Sequence, residues 1–151
     1  VNDVQFEWLP FANLSLRQLH DLFRLRQEVF VVEQRCAYLD IDGKDVLCWH
    51  GLGTLPDGTL VASARLVPPG VSFPEPPIGR VVSAPTFRRF GYGRALMRSA
   101  IEQVKRLYPG QEIQIGAQRY LERFYESFGF VTKGKPYLED GIEHVHMIRG
   151  A

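Results

Sequence analysis

Residues 88–93 read Arg88-Arg89-Phe90-Gly91-Tyr92-Gly93 and stand between an apolar run and a helix-like segment. The first amides of a helix have no intrahelical partner, and the aligned peptide dipoles leave partial positive charge at that end. Glycine removes the Cβ that would hold an anion away from the backbone, and two arginines add full charges. Such a stretch can cradle a pyrophosphate. It can equally be a plain helix entry with two permissive glycines and two solvated arginines. Two common phosphate loops are excluded. The dinucleotide fingerprint needs a third glycine where Leu96 stands, and the Gly-Lys-Ser/Thr of the P-loop is absent.

Other groups invite chemistry less strongly. Asp40-Ile41-Asp42-Gly43-Lys44-Asp45 has the look of a calcium loop, but its glycine falls two positions early and the closing glutamate is missing. It reads as an acidic turn suited to a cationic partner. His144 and His146 alternate on one strand and share a face, yet with Cys36, Cys48 and His50 they match no zinc spacing, so no metal is expected. Cys36 and Cys48 read as two reduced thiols of a cytoplasmic protein. Tyr125 lies on an apolar helix face, where an aromatic is ordinarily core.

These residues need elements to hold them. Val4–Leu9 alternates like a strand. Ser15 and Gln18 form a capping box for a helix whose apolar face ends near Phe30. Residues 46–54 and 60–67 read as strands joined by the hairpin signal Leu55-Pro56-Asp57-Gly58-Thr59. Five prolines in residues 68–77 exclude a helix or inner strand. Ile78–Ser83 is a short buried strand. A helix carrying Leu96, Met97, Ala100, Ile101, Val104 and Leu107 stops at Tyr108-Pro109-Gly110. Strand 112–116, a helix over 120–128 ended by Gly129, and strands 130–133 and 142–148 complete the order β-α-β-β-β-α-β-α-β-β. The fold class is mixed α/β in a single domain over 1–151, with helices flanking a mixed, mostly antiparallel sheet.

Composition narrows the partners. The chain has 151 residues, 45% apolar and 23% charged, which suits a globular domain. Lys plus Arg is 18 against 17 for Asp plus Glu, a net charge of +1. That balance argues against a nucleic-acid or anionic-membrane coat. No run approaches the ~18 apolar residues of a membrane span, and Val1-Asn2-Asp3 does not open a secretory leader.

Arg88-x-x-Gly91-x-Gly93 at a helix start, after Arg80-Val81-Val82-Ser83, resembles the acyl-CoA signature of the GNAT N-acetyltransferases. Phe124-Tyr125-Glu126-Ser127-Phe128-Gly129-Phe130 resembles their second signature, a helix-to-strand junction. The spacing and order of both match the family over the whole chain. Val29-Phe30-Val31-Val32-Glu33-Gln34, Asp40-Ile41-Asp42-Gly43, Ile78–Val82, Gly116-Ala117-Gln118 and Asp140-Gly141-Ile142 are similar to the ElaA-like subgroup.

The resemblance implies the GNAT fold and transfer of acetyl from acetyl-CoA to an amine by direct attack. It implies pyrophosphate contacts along Arg88, Arg89, Phe90, Gly91, Tyr92, Gly93 and Arg94. The pantetheine arm would lie beside Val81 and Val82, with the Val82 amide on the thioester oxygen, and Gln118 would be a cofactor contact or a strand-end cap. Tyr125 becomes the general acid, since a tyrosine with pKa about 10 is protonated at neutral pH. The strand before the pyrophosphate loop carries no carboxylate, so the base is sought among Glu33, Asp40, Asp42, His144 and His146, with Glu33 the best placed. The acceptor would be a small-molecule or peptide amine, and a homodimer is compatible with the family. Two other readings stay open: an acyl-CoA-binding sensor indifferent to Tyr125, and an interaction module that binds no CoA.

Overall fold

The computed structural model describes residues 3–151. Its elements are β1 (Gln5–Pro10), α1 (Leu16–Arg26), β2 (Trp49–Thr54), β3 (Leu60–Leu66), β4 (Ile78–Ser83), α2 (Tyr92–Leu107), β5 (Ile113–Gln118), α3 (Glu122–Glu126), β6 (Phe130–Glu139) and β7 (Ile142–Arg149). No helix among the described residues is long and apolar enough to cross a membrane.

The capping box forms as expected. The Gln18 amide donates to Ser15 Oγ at 3.0 Å, and the Ser15 amide donates to Gln18 Oε1 at 2.9 Å. The helix does not stop at Phe30. It widens into a π-helical segment, Gln27–Glu33, where the amides of Gln34 and Cys36 reach back five residues to the carbonyls of Val29 and Val31. Three valines crowd this turn, and widened turns of this kind recur at functional sites.

The strands form two antiparallel sheets, ordered β1-β2-β3-β4 and β5-β7-β6. They meet at one parallel bridge, Pro77 with Gln114, where the Gln114 amide donates to the Pro76 carbonyl at 3.3 Å. Past that bridge β4 and β5 share no ladder. The expected mixed sheet is thus antiparallel within each half and parallel only at the join. One apolar core spans the join: Leu96, Met97, Ala100 and Val104 of α2 pack with Val61 and Leu66 of β3 and with Ile113, Ile115, Val145 and Met147. Burying these side chains favours the closed pair of sheets by roughly 2 kcal/mol each.

Three boundaries differ from the sequence reading. Residues 45–47 form a 3-10 turn instead of starting a strand, because the Asp45 side chain is drawn into a buried charge cluster. Strand β5 runs on to Gln118, which therefore ends the strand and does not follow it. Strand β6 continues to Glu139, with Gly134 (φ +75°) and Pro136 in an irregularity between Lys133 and Tyr137.

The buried cluster corrects a further expectation. Arg26, 1% exposed, places Nη1 2.8 Å from Asp45 and Nε 2.9 Å from Asp40. Arg65 holds Asp42 at 2.8 Å and Asp45 at 3.1 Å, and Arg80 lies 2.8 Å from Asp40. Burial would raise the Asp42 carboxyl, but the hydrogen bonds from Arg65 and the Lys44 amide, with the charges of Arg65 and Arg80, hold it well below the usual carboxylate range. Residues 40–45 are therefore no open acidic lure for a cationic amine, since three arginines already neutralise the three aspartates.

Candidate active site

The divergence of β4 and β5 opens a cleft of about 840 Å³. One wall is β4, the opposite wall is β5 with α3, the N-terminus of α2 closes one end, and the π-helical segment and the β6–β7 turn close the other.

Strand β4 presents backbone groups to this space. The Ala84 amide donates to the Val61 carbonyl at 2.8 Å, and Ser63 faces Val82 in the register. Antiparallel ladders alternate, so the Val82 amide points to β3, whereas those of Ser83 and Val81 face the open edge. This corrects the choice of Val82 as donor. The extra residue of a bulge falls between Gly79 and Val82, with Arg80 in the left-handed region at φ +49°. A bulge leaves its residue unpaired in the ladder, which frees the backbone beside Val81.

Gly91 caps α2 with φ +81° and offers no side-chain acceptor to the first turn. Arg89 is also left-handed, at φ +71°. Among the described residues, the amides of Arg89, Phe90 and Gly91 make no backbone hydrogen bond. The uncapped start of α2 and the turn before it line the cleft through Arg88, Arg89, Gly91, Tyr92, Gly93 and Arg94.

The residues expected to act at the site line this cleft, with three exceptions: Phe90 and, among the candidate bases, Asp40 and His146. The Phe90 ring stands outside, 54% exposed and stacked on Tyr92 at 5.9 Å. Arg94 lays its guanidinium over Phe128 at 4.9 Å and Phe124 at 5.8 Å, tying α2 to α3. Gln118 pairs its side-chain amide with that of Gln34, at 3.2 Å from Gln118 Nε2 to Gln34 Oε1. Glu33 is held by Arg88 through two bonds of 2.6 and 2.9 Å.

Tyr125 is 6% exposed, with its ring edge-on to Phe124 and Phe130. Gly129, at φ +91°, ends the helix and lets Phe130 return under that ring. Burial, with a smaller contribution from Tyr120, pushes the Tyr125 phenol above its ordinary value. Tyr125 lines the cleft, and its hydroxyl makes no hydrogen bond to the described residues.

The β6–β7 end of the cleft adjoins a residue that local sequence did not single out. Tyr137 reaches from β6 until its hydroxyl lies 2.9 Å from where a Cβ on Gly116 would stand. Its ring stacks on His144 and His146 at 5.7 and 4.5 Å. Gly116 was quoted only as part of a resemblance, and the glycine itself was the signal that another group approaches there. No group of acidic, histidine or cysteine side chains able to hold a metal occurs among the described residues.

The acetyltransferase (GNAT) domain family matches residues 60–149. The chain belongs to the GNAT acetyltransferase family. It is 39% identical to the ElaA protein of Escherichia coli over 97% of this chain and 96% of that one. It is 44% identical to a UPF0039 protein of Synechocystis over 97% and 95%. The crystal structure of an acyl-CoA N-acyltransferase from Pseudomonas aeruginosa superposes with a TM-score of 0.91 at 38% identity, covering 97% of this chain and 99% of that one. The crystal structure of Escherichia coli ElaA gives a TM-score of 0.90. The two sheets opened at β4 and β5 are the GNAT fold.

Proposed function

We propose that the chain transfers an acetyl group from acetyl-CoA to an amine. The observation that carries this reading is the uncapped, glycine-led N-terminus of α2 at the end of a cleft whose opposite walls are an open strand edge and the Tyr125 hydroxyl. The residues fit the cosubstrate. A diphosphate matches the free amides of residues 89–94 and the charge of Arg88 and Arg89, and an extended amide-bearing arm matches the unpaired edge of β4 as an added strand. A GNAT structure from Elizabethkingia anophelis with acetyl-CoA bound shares this fold at a TM-score of 0.72 and 15% identity.

Bound there, the cosubstrate supplies an activated thioester. The Val81 amide, aimed at the open edge, would donate to the thioester oxygen and stabilise negative charge as it develops. Tyr125 would donate its proton to the departing sulfur. Burial keeps the phenol protonated at neutral pH, the form that can donate to the sulfur. The Gln34–Gln118 pair would fix the far wall, so that the acceptor approaches from the β6–β7 side.

Thiol release with acetyl-CoA and a panel of polyamines, aminoglycosides, amino acids and peptides tests the reading. Turnover with at least one class of amine is expected. Binding of acetyl-CoA with no turnover on any amine would make the domain a sensor, and absence of binding would make it neither.

A further inference from the structure

An amine that is protonated in water must lose a proton before it can attack. Of the four carboxylates that line the cleft, Glu33, Asp42, Glu139 and Asp140, the first two are already committed to arginines. Glu33 gives both oxygens to Arg88, and Asp42 is held by Arg65 and approached by Arg80. We propose that His144 is the general base that deprotonates the acceptor amine; this rests on the acetyl-transfer reading above.

His144 lines the acceptor end of the cleft, with its side chain 10% exposed. Its Nδ1 lies 2.8 Å from the Ile142 carbonyl oxygen. A carbonyl can only accept, so Nδ1 carries the hydrogen and Nε2 keeps its lone pair. Nε2 lies 3.5 Å from a Glu139 carboxylate oxygen. The ring plane is set by Tyr137, which stacks on it and is itself stacked on His146. Tyr137 can stand there because Gly116 has no side chain. This arrangement has the logic of an oriented base: one nitrogen fixed by a backbone oxygen, the other open, and an acid beside it.

The proton balance is simple. One N–H bond of the ammonium breaks, its electron pair stays on nitrogen as the nucleophile, and the proton bonds to Nε2 and then leaves to solvent. The titratable groups around His144 are Tyr137 and Glu139 on β6, Asp140 at the turn, Glu143 and His146 on β7, and Cys36, whose sulfur is 3.6 Å from the Asp140 carbonyl. Glu143 is already paired with Arg119 at 2.9 Å, and the β5 residue opposite is the uncharged Gln118. Glu139 is thus the carboxylate that stands beside Nε2.

The test uses the full chain and has two arms. In the first, nitrogen-correlated NMR assigns the His144 tautomer without any acceptor. Hydrogen on Nδ1 and a bare Nε2 are expected; hydrogen on Nε2 would overturn the proposal even if no amine turned over. In the second, kcat/KM is followed against pH with any amine that the wild type acetylates. His144→Gln is expected to lose about 100-fold near neutrality and to recover at high pH where the amine is already free, so that its acidic limb moves up to the titration of the amine itself. Its acetyl-CoA affinity should be unchanged. Activity of His144→Gln within threefold of wild type, with an unmoved limb, would overturn the assignment. Failure of acetyl-CoA to bind the wild type would instead sink the acetyl-transfer reading, and the tautomer would still decide His144.

Discussion

Glu33 and Arg88 meet across the mouth of the cleft, with Oε1 2.6 Å from Nη2 and Oε2 2.9 Å from Nη1. The pair joins the end of the π-helical segment to the loop before α2. It sets the side chain expected to act on the amine against the side chain expected to hold the diphosphate. Both are about 40% exposed, so the pair itself is worth at most about 1 kcal/mol.

A diphosphate that recruits Arg88 has to compete with Glu33. Glu33→Gln is therefore expected to tighten acetyl-CoA binding two- to fivefold, and Arg88→Ala to weaken it, both read by calorimetry. If Glu33 were the base, the glutamine variant would leave affinity alone and abolish turnover.

Tyr125→Phe keeps the ring packing against Phe124 and Phe130 and deletes only the hydroxyl. Turnover should fall on the order of 100-fold while acetyl-CoA affinity stays within twofold. Steady-state rates with the best amine, together with a binding titration, check both halves. Equal turnover would remove the acid role.

Much of this site was legible locally. The Ser15–Gln18 capping box, the hairpin at residues 55–59, and Gly91 opening α2 each follow from a few neighbouring residues whose backbone needs are fixed by type. The rest depended on pairs far apart in the chain. Gln34 meets Gln118 across 84 positions, and Arg26 reaches Asp45 across 19. No spacing rule encodes those meetings. The bulge on β4 was hidden for another reason. Arg80 is not a residue type that announces a positive φ, and it is held there by its contacts with Asp40 and Asp42.

Asp45 is almost fully buried between Arg26 and Arg65. Asp45→Asn leaves two guanidinium groups short of a charge partner in the interior. A loss of about 3 kcal/mol is expected in urea unfolding. A loss below 0.5 kcal/mol would show that the cluster contributes little.

Acid should destabilise the fold through the same cluster. Burial opposes ionisation of Asp42 and Asp45, but the arginines override it and hold both carboxyls below their ordinary values. A group depressed in the folded state adds stability that is fully present above its unfolded value, about 4, and is lost as pH falls through the folded value. Melting temperature should decline gently from pH 7 to 5, because burial keeps His50 from taking the proton it accepts when unfolded, and fall steeply below 4. The fall should be shallower in Asp45→Asn.

Gly116→Ala places a methyl group against the Tyr137 hydroxyl. The tyrosine must tilt, at a cost of about 1 kcal/mol, or roughly 3 °C in melting temperature. Because Tyr137 orients His144, turnover should fall further than stability does, with acetyl-CoA affinity unchanged. A thermal melt and a rate assay on the one variant check this.

The most direct test of the whole account is calorimetric titration of acetyl-CoA into the wild type and into Gly91→Asp. Aspartate tolerates the left-handed backbone better than most residues and is itself a good helix cap. Its carboxylate would stand before the amides now open at the start of α2, and the strain of a side chain at φ +81° costs about 1 kcal/mol, which a thermal melt reads separately. The account predicts saturable one-to-one binding to the wild type and at least tenfold weaker binding to the variant at a temperature where both are folded. No heat with the wild type, or the same affinity in both proteins, would contradict it.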